Sequence, residues 1–153
     1  RVVTAIGRDR RERIRMAAYP LEGLEHKPHL KRAASNYSVM EVFANGGASL
    51  VAWRLDTGRT HQIRVHAKHL GNPLVGDVVY GGTAPRLARS MESGRVSPSS
   101  AKAIATKVAK TIDRPALHAA TLGFDHPKSG ERMRFSSNPP LDFEECIAQL
   151  RKL

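Results

Sequence analysis

The sequence is poor in cysteine, in aromatic residues and in long hydrophobic runs. The single cysteine, Cys146, excludes a framework of intramolecular disulfides and is compatible with a reducing compartment. No stretch approaches the roughly 18 consecutive apolar residues that a membrane-spanning helix needs, so we expect no membrane segment. Hydrophobic residues still make up 41% of the 153 residues and charged residues 25%, which is typical of a globular domain rather than a disordered chain.

Acidic residues are also scarce, and the basic excess is unevenly distributed. The chain has 25 Lys and Arg against 14 Asp and Glu, a formal charge of +11. Residues 1–35 and 86–114 each carry a surplus of five positive charges, whereas residues 37–82 and 115–153 are nearly balanced. Such segregation favours a polyanionic partner, and nucleic acid is preferred over lipid because no strongly amphipathic basic helix stands out. A solvated basic face without a partner is the alternative.

The hydrophobic pattern predicts an α+β fold with a mixed, mostly antiparallel sheet and flanking helices. Asn45-Gly46-Gly47 predicts the turn of a hairpin, and Thr60 and Ser97 are candidate helix N-caps. Asp142 and Glu145 have the spacing of a capping box. The expected strands span residues 1–6, 37–43, 48–55, 117–124 and 132–135, and the expected helices span 61–70, 98–112 and 143–150. Residues 8–15, 20–28 and 76–82 are expected to be loops.

The densest polar cluster of the chain lies at the start of the first predicted helix. Arg59, Thr60, His61 and Gln62 crowd this helix N-terminus, and Arg64 follows one turn after Thr60. Exposed backbone N–H groups and the helix dipole favour an anion there, and the arginine fork matches a phosphate. The cluster therefore indicates a site that grips a phosphate or a carboxylate. The alternative is an ordinary capped helix with a solvated face.

Histidine placement does not favour a metal site. His61, His66 and His69 lie close together in sequence, but no Cys, Asp or Glu stands nearby with suitable ligand spacing. His118 lies in an apolar stretch and is expected to be structural, and Cys146 is expected to be a buried, unreactive thiol. We therefore expect no metal site.

Several longer runs of the sequence together resemble one protein family. They are Leu-Asp-Thr-Gly-Arg-Thr-His-Gln-Ile-Arg-Val-His at 55–66, Gly-Asn-Pro-Leu-Val-Gly-Asp at 71–77, Tyr-Gly-Gly at 80–82, Arg-Pro-Ala-Leu-His-Ala at 114–119, His-Pro-Lys-Ser-Gly at 126–130 and Pro-Pro-Leu-Asp at 139–142. With these runs the sequence resembles the RluA-type pseudouridine synthases. The resemblance covers essentially the whole chain, and the sequence overall is most similar to the plant and algal organellar members.

The resemblance implies isomerisation of uridine to pseudouridine in RNA, with ribosomal RNA as the expected substrate and no cofactor. The family's nucleophilic aspartate lies in a motif of the form H-R-L-D-x-x-T-S-G, which is absent from this sequence. Asp56 sits in a different motif, so it does not inherit that role and is expected to serve in a turn or an ion pair. Tyr37 likewise does not inherit the role of the family's tyrosine. By resemblance, Arg64 pairs with and positions the aspartate, and Ile63 forms an apolar wall of the uracil pocket.

We therefore expect a single partial domain, residues 1–153, that is the C-terminal portion of a catalytic domain with a basic insert at about 86–114. The start at Arg1 rather than Met fits this expectation. The resemblance implies a chloroplast location for the parent, and a cytoplasmic location is the alternative. Without the aspartate, Arg64 is expected to be an uncompensated charge in a partly closed cleft, which costs stability unless water or another anion enters. The residues expected to contact RNA are Arg13, Arg15, Lys31, Arg32, Arg59, Thr60, His61 and Gln62.

Two other functions stay open at this point. The first is a catalytically inactive RNA-binding or assembly module that keeps the fold. The second is a structural subunit of a larger ribonucleoprotein, in which the basic segments are contact surface.

Overall fold

A four-stranded sheet, a separate two-stranded hairpin and four helices make up the computed structural model, which describes residues 1–153. Every strand pair is antiparallel, which agrees with the predicted α+β class. The strands are β1 (Val2–Arg8), β2 (Met16–Tyr19), β3 (Lys31–Phe43), β4 (Ala48–Leu55), β5 (Thr121–Asp125) and β6 (Arg132–Ser136). The helices are α1 (Gln62–His69), α2 (Ala84–Ser93), α3 (Pro98–Thr111) and α4 (Leu141–Leu150), with 3-10 turns at Leu24–His26, Ala44–Gly46 and Val78–Tyr80.

The main sheet has the strand order β2-β1-β3-β4. Strand β3 is 13 residues long and starts six residues earlier than predicted. Its first part pairs with β1, from Val2 opposite Ser35 to Ile6 opposite Lys31, and its second part forms the predicted hairpin with β4. The early part of β3 is rich in lysine, arginine and alanine, which have little strand preference, so its conformation depends on pairing with β1.

Two elements were not predicted, β2 and α2. Strand β2 follows an arginine-dense loop and pairs with β1 over four residues, which is too short for a periodic signal. Helix α2 has Pro85 in its first turn and buries Leu87, Ala88 and Met91, a spacing that the sequence did carry. In the opposite direction, residues 117–120 were predicted as strand, yet β5 begins at Thr121.

Two predicted helix starts were wrong. Helix α1 begins at Gln62 after His61, whose φ of 57° is left-handed, and no side chain caps it, so Thr60 is not an N-cap. Helix α4 begins at Leu141 after Pro140, also without a side-chain cap. The expected capping box does not form, because Asp142 is the second residue of α4 and not its N-cap; its carboxylate accepts two hydrogen bonds from the guanidinium of Arg114.

The prediction for α3 is confirmed. The hydroxyl of Ser97 accepts a hydrogen bond from the Ser100 amide at 3.3 Å, as an N-cap does. The apolar stripe of α3 is buried at Ala101, Ala105 and Val108, while its lysines are exposed. Segment 86–114 is therefore largely amphipathic: its basic side chains face solvent, except Arg114, which is half-buried and pairs with Asp142, and its larger apolar side chains face the protein interior.

The interior contains two hydrophobic clusters of unequal size. The larger one joins α2, α3 and α4 to the turn between β3 and β4, and its buried members are Phe43, Ala44, Leu87, Ala88, Met91, Ala101, Ala105, Val108, Ile112, Cys146 and Leu150. The smaller one holds the main sheet against α1 and consists of Ile6, Ala33, Val65 and Tyr80. None of the helices is long and apolar enough to cross a membrane.

Candidate functional site

A buried glutamine anchors the start of α1 to the main sheet. Gln62 is 3% exposed, and its Nε2 donates to the Ala34 carbonyl and to the Ser35 hydroxyl, both at 2.9 Å. Its Oε1 accepts from the Thr57 hydroxyl at 2.8 Å and from the Arg59 amide at 2.9 Å. All the polar groups of this amide are thereby used inside the protein. The expectation that Gln62 contacts RNA does not fit this placement.

One turn further along α1, a buried histidine makes a second link to the sheet. His66 is fully buried, with Nδ1 at 2.8 Å from the Ser35 hydroxyl and Nε2 at 3.0 Å from the Thr4 hydroxyl. Burial lowers the pKa of His66 below its usual value, since the charged imidazolium is poorly solvated there. Gln62 and His66 thus fix one side of α1 against β1 and β3. This attachment determines where the residues on the opposite side of the helix, including Arg64, point.

Opposite that side lies a tight loop, residues 74–82. The Gly76 amide donates to the Gly82 carbonyl at 2.9 Å, and the Gly82 amide donates to the Asp77 carbonyl at 2.7 Å. A Cβ at Gly82 would collide with the Leu74 carbonyl, so the close approach of the two ends of the loop requires glycine. This closed loop holds Asp77 and Tyr80 next to α1.

Arg64 reaches down from α1 to this loop and forms a two-pronged ion pair with Asp77. Its Nε donates to Oδ2 at 2.7 Å and its Nη2 to Oδ1 at 2.9 Å, while Nη1 has no partner within the chain. The Asp77 side chain is 0% exposed and that of Arg64 is 18% exposed. The hydrogen bonds that Arg64 donates to the Asp77 carboxylate raise the pKa of Arg64, so it stays charged. Arg64 is therefore not an uncompensated charge: of the two expected alternatives, another anion, Asp77, occupies the cleft.

The ring of Tyr80 packs against the guanidinium of Arg64 in this pair. The guanidinium carbon of Arg64 lies 4.7 Å from the centre of the Tyr80 ring, within the range of a cation–π contact. The Tyr80 hydroxyl accepts from the Met16 amide at 2.9 Å and lies 3.0 Å from His61 Nδ1. Burial raises the pKa of Tyr80, and burial followed by the positive charge of Arg64 lowers the pKa of His61. Near neutral pH the site therefore has one cation, one anion and two neutral rings.

Four other residues of the predicted RNA-contacting set lie exposed near the start of α1 and of β3. Arg59 donates from Nε to the Arg32 carbonyl at 3.1 Å, which places these two arginines side by side. Lys31 precedes Arg32 on β3, and Thr60 follows Arg59; all four residues are exposed and none forms an ion pair with an acidic residue. His61 is only half-buried beside them. The structure therefore brings residues about 30 positions apart onto one basic surface.

Arg13 and Arg15, in the loop between β1 and β2, have different environments. Arg13 is exposed, with its carbonyl bonded to Arg8 at 3.2 Å. Arg15 is 18% exposed and pairs with Asp9 at 2.8 Å and with Glu12 at 3.0 Å. Its charge is balanced inside the loop, so its position favours a structural role over direct contact with RNA.

The remaining predicted residues also have defined places. Ile63 is half-buried on α1 next to Arg64. Asp56 pairs with Arg1 at 2.9 Å and accepts from Asn36 at 2.8 Å, which confirms the expected ion-pair role. Cys146 is buried, as expected, and burial raises the pKa of its thiol. His118 is half-buried, with Nε2 2.9 Å from the Ser137 carbonyl.

Sequence reasoning assigned no role to Asp77 or Tyr80, although both lie in motifs that carried the resemblance. A signal was available, because residues 37–82 contain only three acidic side chains: Glu41, Asp56 and Asp77. A charged arginine in a partly closed cleft needs an acidic partner, and Asp77 is the acidic residue of the three that lies in a loop between glycines, Gly76 and Gly81.

No group of three or more His, Cys, Asp or Glu side chains lies close enough together to hold a metal ion.

Comparison with known proteins shows what the chain resembles. A family model described as RNA pseudouridylate synthase matches residues 5–69, from β1 to the end of α1. The chain is 51% identical over 152 residues to "RNA pseudouridine synthase 2, chloroplastic" of Arabidopsis thaliana, covering 99% of this chain and 34% of that protein. It is 38% identical over 147 residues to "Ribosomal large subunit pseudouridine synthase D" of Vibrio vulnificus, covering 96% of this chain and 39% of that protein.

A solved structure agrees with these matches. The structure of human RNA pseudouridylate synthase domain containing 1 superposes with a TM-score of 0.59 at 29% identity, covering 95% of this chain and 51% of that one. The chain thus spans about a third of the length of the curated relatives it matches first and about half of the structural one.

Proposed function

The chain belongs to the RNA pseudouridine synthase family, and we propose that it forms the RNA-gripping, arginine-bearing part of an enzyme that isomerises uridine to pseudouridine in RNA. The observation that carries this proposal is the fixed orientation of the Arg64 side chain. Asp77 and Tyr80 hold its guanidinium in one orientation and leave Nη1 free. Asp77 and Tyr80 act here as positioning residues, because they work through Arg64.

The free edge of Arg64 suits a second carboxylate. A nucleophilic aspartate must be ionised and aimed at the sugar, and a fixed guanidinium at hydrogen-bond distance lowers the pKa of such a carboxyl group. Because Asp77 already neutralises one side of Arg64, the arginine is pre-oriented without a substrate, so no side-chain ordering is needed when the second carboxylate arrives. The aspartate itself comes from a motif that this sequence lacks, so the chain alone is expected not to catalyse the reaction.

The surface around this site suits RNA. An enzyme that acts on a uridine must take the base out of its stack, and the flanking phosphates then have to be held. Arg59, Arg32 and Lys31 offer exposed, unpaired cations beside the start of α1, and Ile63 offers an apolar wall next to Arg64. Ribosomal RNA is the expected substrate, and the names of two similar plant proteins, both chloroplastic, support a chloroplast location.

The alternative is a catalytically inactive RNA-binding or assembly module. The specific observation in its favour is that Asp77 satisfies Arg64 without any further residue, so the site is electrostatically complete without a nucleophile. A chimera distinguishes the two functions, because this chain aligns over 99% of its length with one segment of the Arabidopsis enzyme. In the chimera this chain replaces that segment, and pseudouridine formation is measured on total ribosomal RNA. Activity of the chimera supports the enzyme, whereas RNA binding without turnover supports the inactive module.

The roles of Arg64 and Asp77 are tested in the same chimera. Arg64→Ala is expected to lower kcat by about 10²- to 10³-fold with little change in RNA affinity, the range found when one preorganised electrostatic donor is removed. Asp77→Asn is expected to lower kcat less, by about tenfold, because Arg64 keeps its charge and loses its orientation. Asp56→Asn, which breaks the exposed pair with Arg1, is the matched control and should leave kcat unchanged. Equal kcat for Asp77→Asn and Asp56→Asn would contradict the positioning role.

A further inference from the structure

His61, the residue before α1, has an imidazole ring that is held in one orientation. Its backbone is left-handed, with a φ of 57°, a conformation that is unfavourable for a residue with a Cβ and persists where tertiary contacts support it. The imidazole packs edge-on against the Tyr80 ring, with the ring centres 5.7 Å apart and the ring planes at 88°. Its Nδ1 lies 3.0 Å from the Tyr80 hydroxyl. Because these contacts come from the loop 74–82, the fold places this imidazole and its sequence neighbours do not.

A chain of hydrogen bonds determines which nitrogen of His61 carries the proton. The Met16 amide, at the start of β2, donates to the Tyr80 hydroxyl at 2.9 Å. The proton of the hydroxyl is then left for another acceptor, and His61 Nδ1 is the acceptor within hydrogen-bond distance. Burial and the positive charges of Arg64 and Arg8 lower the pKa of His61, so the imidazole is neutral near neutral pH. A neutral imidazole has a single N–H group, which lies on Nε2 when Nδ1 accepts.

The Nε2–H group of His61 has no partner within the chain. His61 is half-buried, and its side chain makes one hydrogen bond, the one with Tyr80. His61 and Arg64 are three residues apart and both contact the Tyr80 ring, so the free N–H of His61 and the free Nη1 of Arg64 are neighbours. Ile63, which is half-buried, lies between them in the sequence. The site therefore offers one charged donor and one neutral donor beside an apolar side chain.

A neutral donor of fixed tautomer suits an uncharged oxygen. Charged donors already serve anions here, since Arg64 lies within the site and Arg59 and Arg32 lie beside it. Within a uridine, the uncharged acceptors of the base are its two carbonyl oxygens, O2 and O4. Cytosine has the same O2 but carries an amino group, a donor, in place of O4. At O2 a fixed tautomer would not distinguish the two bases, whereas at O4 it would accept uracil and reject cytosine.

We propose that His61 is a specificity-determining residue whose Nε2–H donates to the O4 carbonyl of the flipped-out uracil, and that the Tyr80 hydroxyl fixes the tautomer this requires. The proposal rests on the proposed function, since it takes a uridine of RNA as the substrate. It gives Tyr80 a second positioning role, because its ring orients Arg64 and its hydroxyl orients the proton of His61. A cytosine at the same place would need Nε2 as an acceptor, and that tautomer leaves the hydroxyl proton of Tyr80 without a partner.

The test titrates the uniformly isotope-labelled chain with uridine monophosphate (UMP) and with cytidine monophosphate (CMP), which share a phosphate and a ribose and differ in the base. Long-range proton–nitrogen correlation spectra should show His61 as the Nε2–H tautomer. UMP is expected to shift the Nε2 resonance of His61, and CMP to bind about tenfold more weakly, because its amino group faces a donor. Inorganic phosphate should leave His61 unshifted. The His26 side chain, which is 84% exposed, is the internal control and should respond to neither nucleotide.

Two variants separate base selection from folding. His61→Asn keeps a residue that tolerates the left-handed backbone, but its side chain is too short to place a donor at the position of Nε2. Followed on the Arg64 Nε resonance, this variant should bind UMP as weakly as CMP. Tyr80→Phe keeps the ring against Arg64 and removes the hydroxyl, so it should reduce the preference for UMP without weakening UMP binding. His69→Asn, at an exposed position of the same helix, is the matched control and should keep the full preference.

Three results would overturn the inference and leave the proposed function standing. The first is an equal shift of His61 by both nucleotides or by inorganic phosphate, which would assign the imidazole to O2 or to a phosphate. The second is no response of His61 to either nucleotide, and the third is a preference for UMP that survives in His61→Asn. The proposed function survives each of them, because the pair of Arg64 and Asp77 does not involve His61. Failure of the chimera with the Arabidopsis enzyme to form pseudouridine would instead overturn the proposed function.

Discussion

The two halves of the interior are stabilised in different ways. On the sheet side, which comprises β1 to β3, α1 and the loop 74–82, a cluster of four apolar residues is accompanied by buried polar side chains. These polar side chains are Thr4, Ser35, Gln62, His66 and Asp77. On the helical side, which comprises α2, α3, α4 and the turn between β3 and β4, the interior is a cluster of eleven apolar residues with one buried polar neighbour, Gln149.

The difference shows which side of the protein requires precise positioning of its side chains. Hydrogen bonds are directional, so a polar interior fixes the orientation of α1, on which the position of Arg64 depends. Apolar packing depends mainly on volume and tolerates changes of shape better than a satisfied polar network tolerates the loss of a partner. The helical side therefore holds the larger apolar core, and the sheet side determines the geometry of the site.

The largest expected effect is a loss of packing on the helical side. Met91 is 0% exposed and lies within the large apolar cluster. Met91→Ala removes buried methylene groups and leaves a cavity, and we expect a loss of about 2–5 kcal/mol in the free energy of unfolding. Urea denaturation followed by circular dichroism measures this loss. Met40→Ala, at a residue that is 64% exposed, is the control, and a similar loss for both variants would contradict the assignment of the core.

A medium effect comes from making the same substitution on each side. Gln62→Met leaves several groups of the sheet side without partners, and we expect about 1–3 kcal/mol of destabilisation. Gln149→Met loses one hydrogen bond to Thr111, at 2.7 Å, but also removes the Oε1 atom, which is buried without a partner. We therefore expect the free energy of unfolding to change by no more than about 1 kcal/mol, because the loss of the hydrogen bond and the removal of the unpaired oxygen are small effects of opposite sign. Equal losses of unfolding free energy for the two variants in urea denaturation would show that the polar network of the sheet side contributes no more to stability than the single hydrogen bond of Gln149.

The smallest expected effect is a pH dependence confined to the sheet side. The pKa of buried His66 lies below its ordinary value of about 6.5, so the unfolded chain binds more protons between the two values. Stability is then complete above about pH 6.5 and falls as the pH drops through the lowered pKa, by at most about 1.4 kcal/mol per pH unit. His61, whose pKa is also lowered, acts in the same direction. Urea midpoints between pH 5 and pH 8 should depend less on pH in His66→Asn, and exposed His29→Asn is the control.

Prediction from the sequence worked best where a pattern repeats along the chain. The stripe of α3, the hairpin of β3 and β4 and the buried Cys146 were all predicted, because each follows from periodicity or local turn chemistry. The N-cap of α3 was predicted correctly, whereas those of α1 and α4 were not. At α1 the reason is that His61 takes a left-handed conformation, which its contact with Tyr80 supports. Short β2 and the early part of β3 depend on pairing with β1, which no local pattern shows.

The sequence by itself determined the family, the α+β class, the basic character and the importance of the run from Thr57 to His66. These depend on composition and on neighbouring residues. Only the tertiary structure decided that Arg64 is paired with Asp77, 13 residues away, and that Gln62 points into the interior. It also decided that Arg15 is neutralised within its own loop while Ile14 stays exposed. The physical reason is that an ion pair or a buried hydrogen bond requires two groups within about 3 Å. Residue types indicate which groups need partners, and the fold determines which partners they meet.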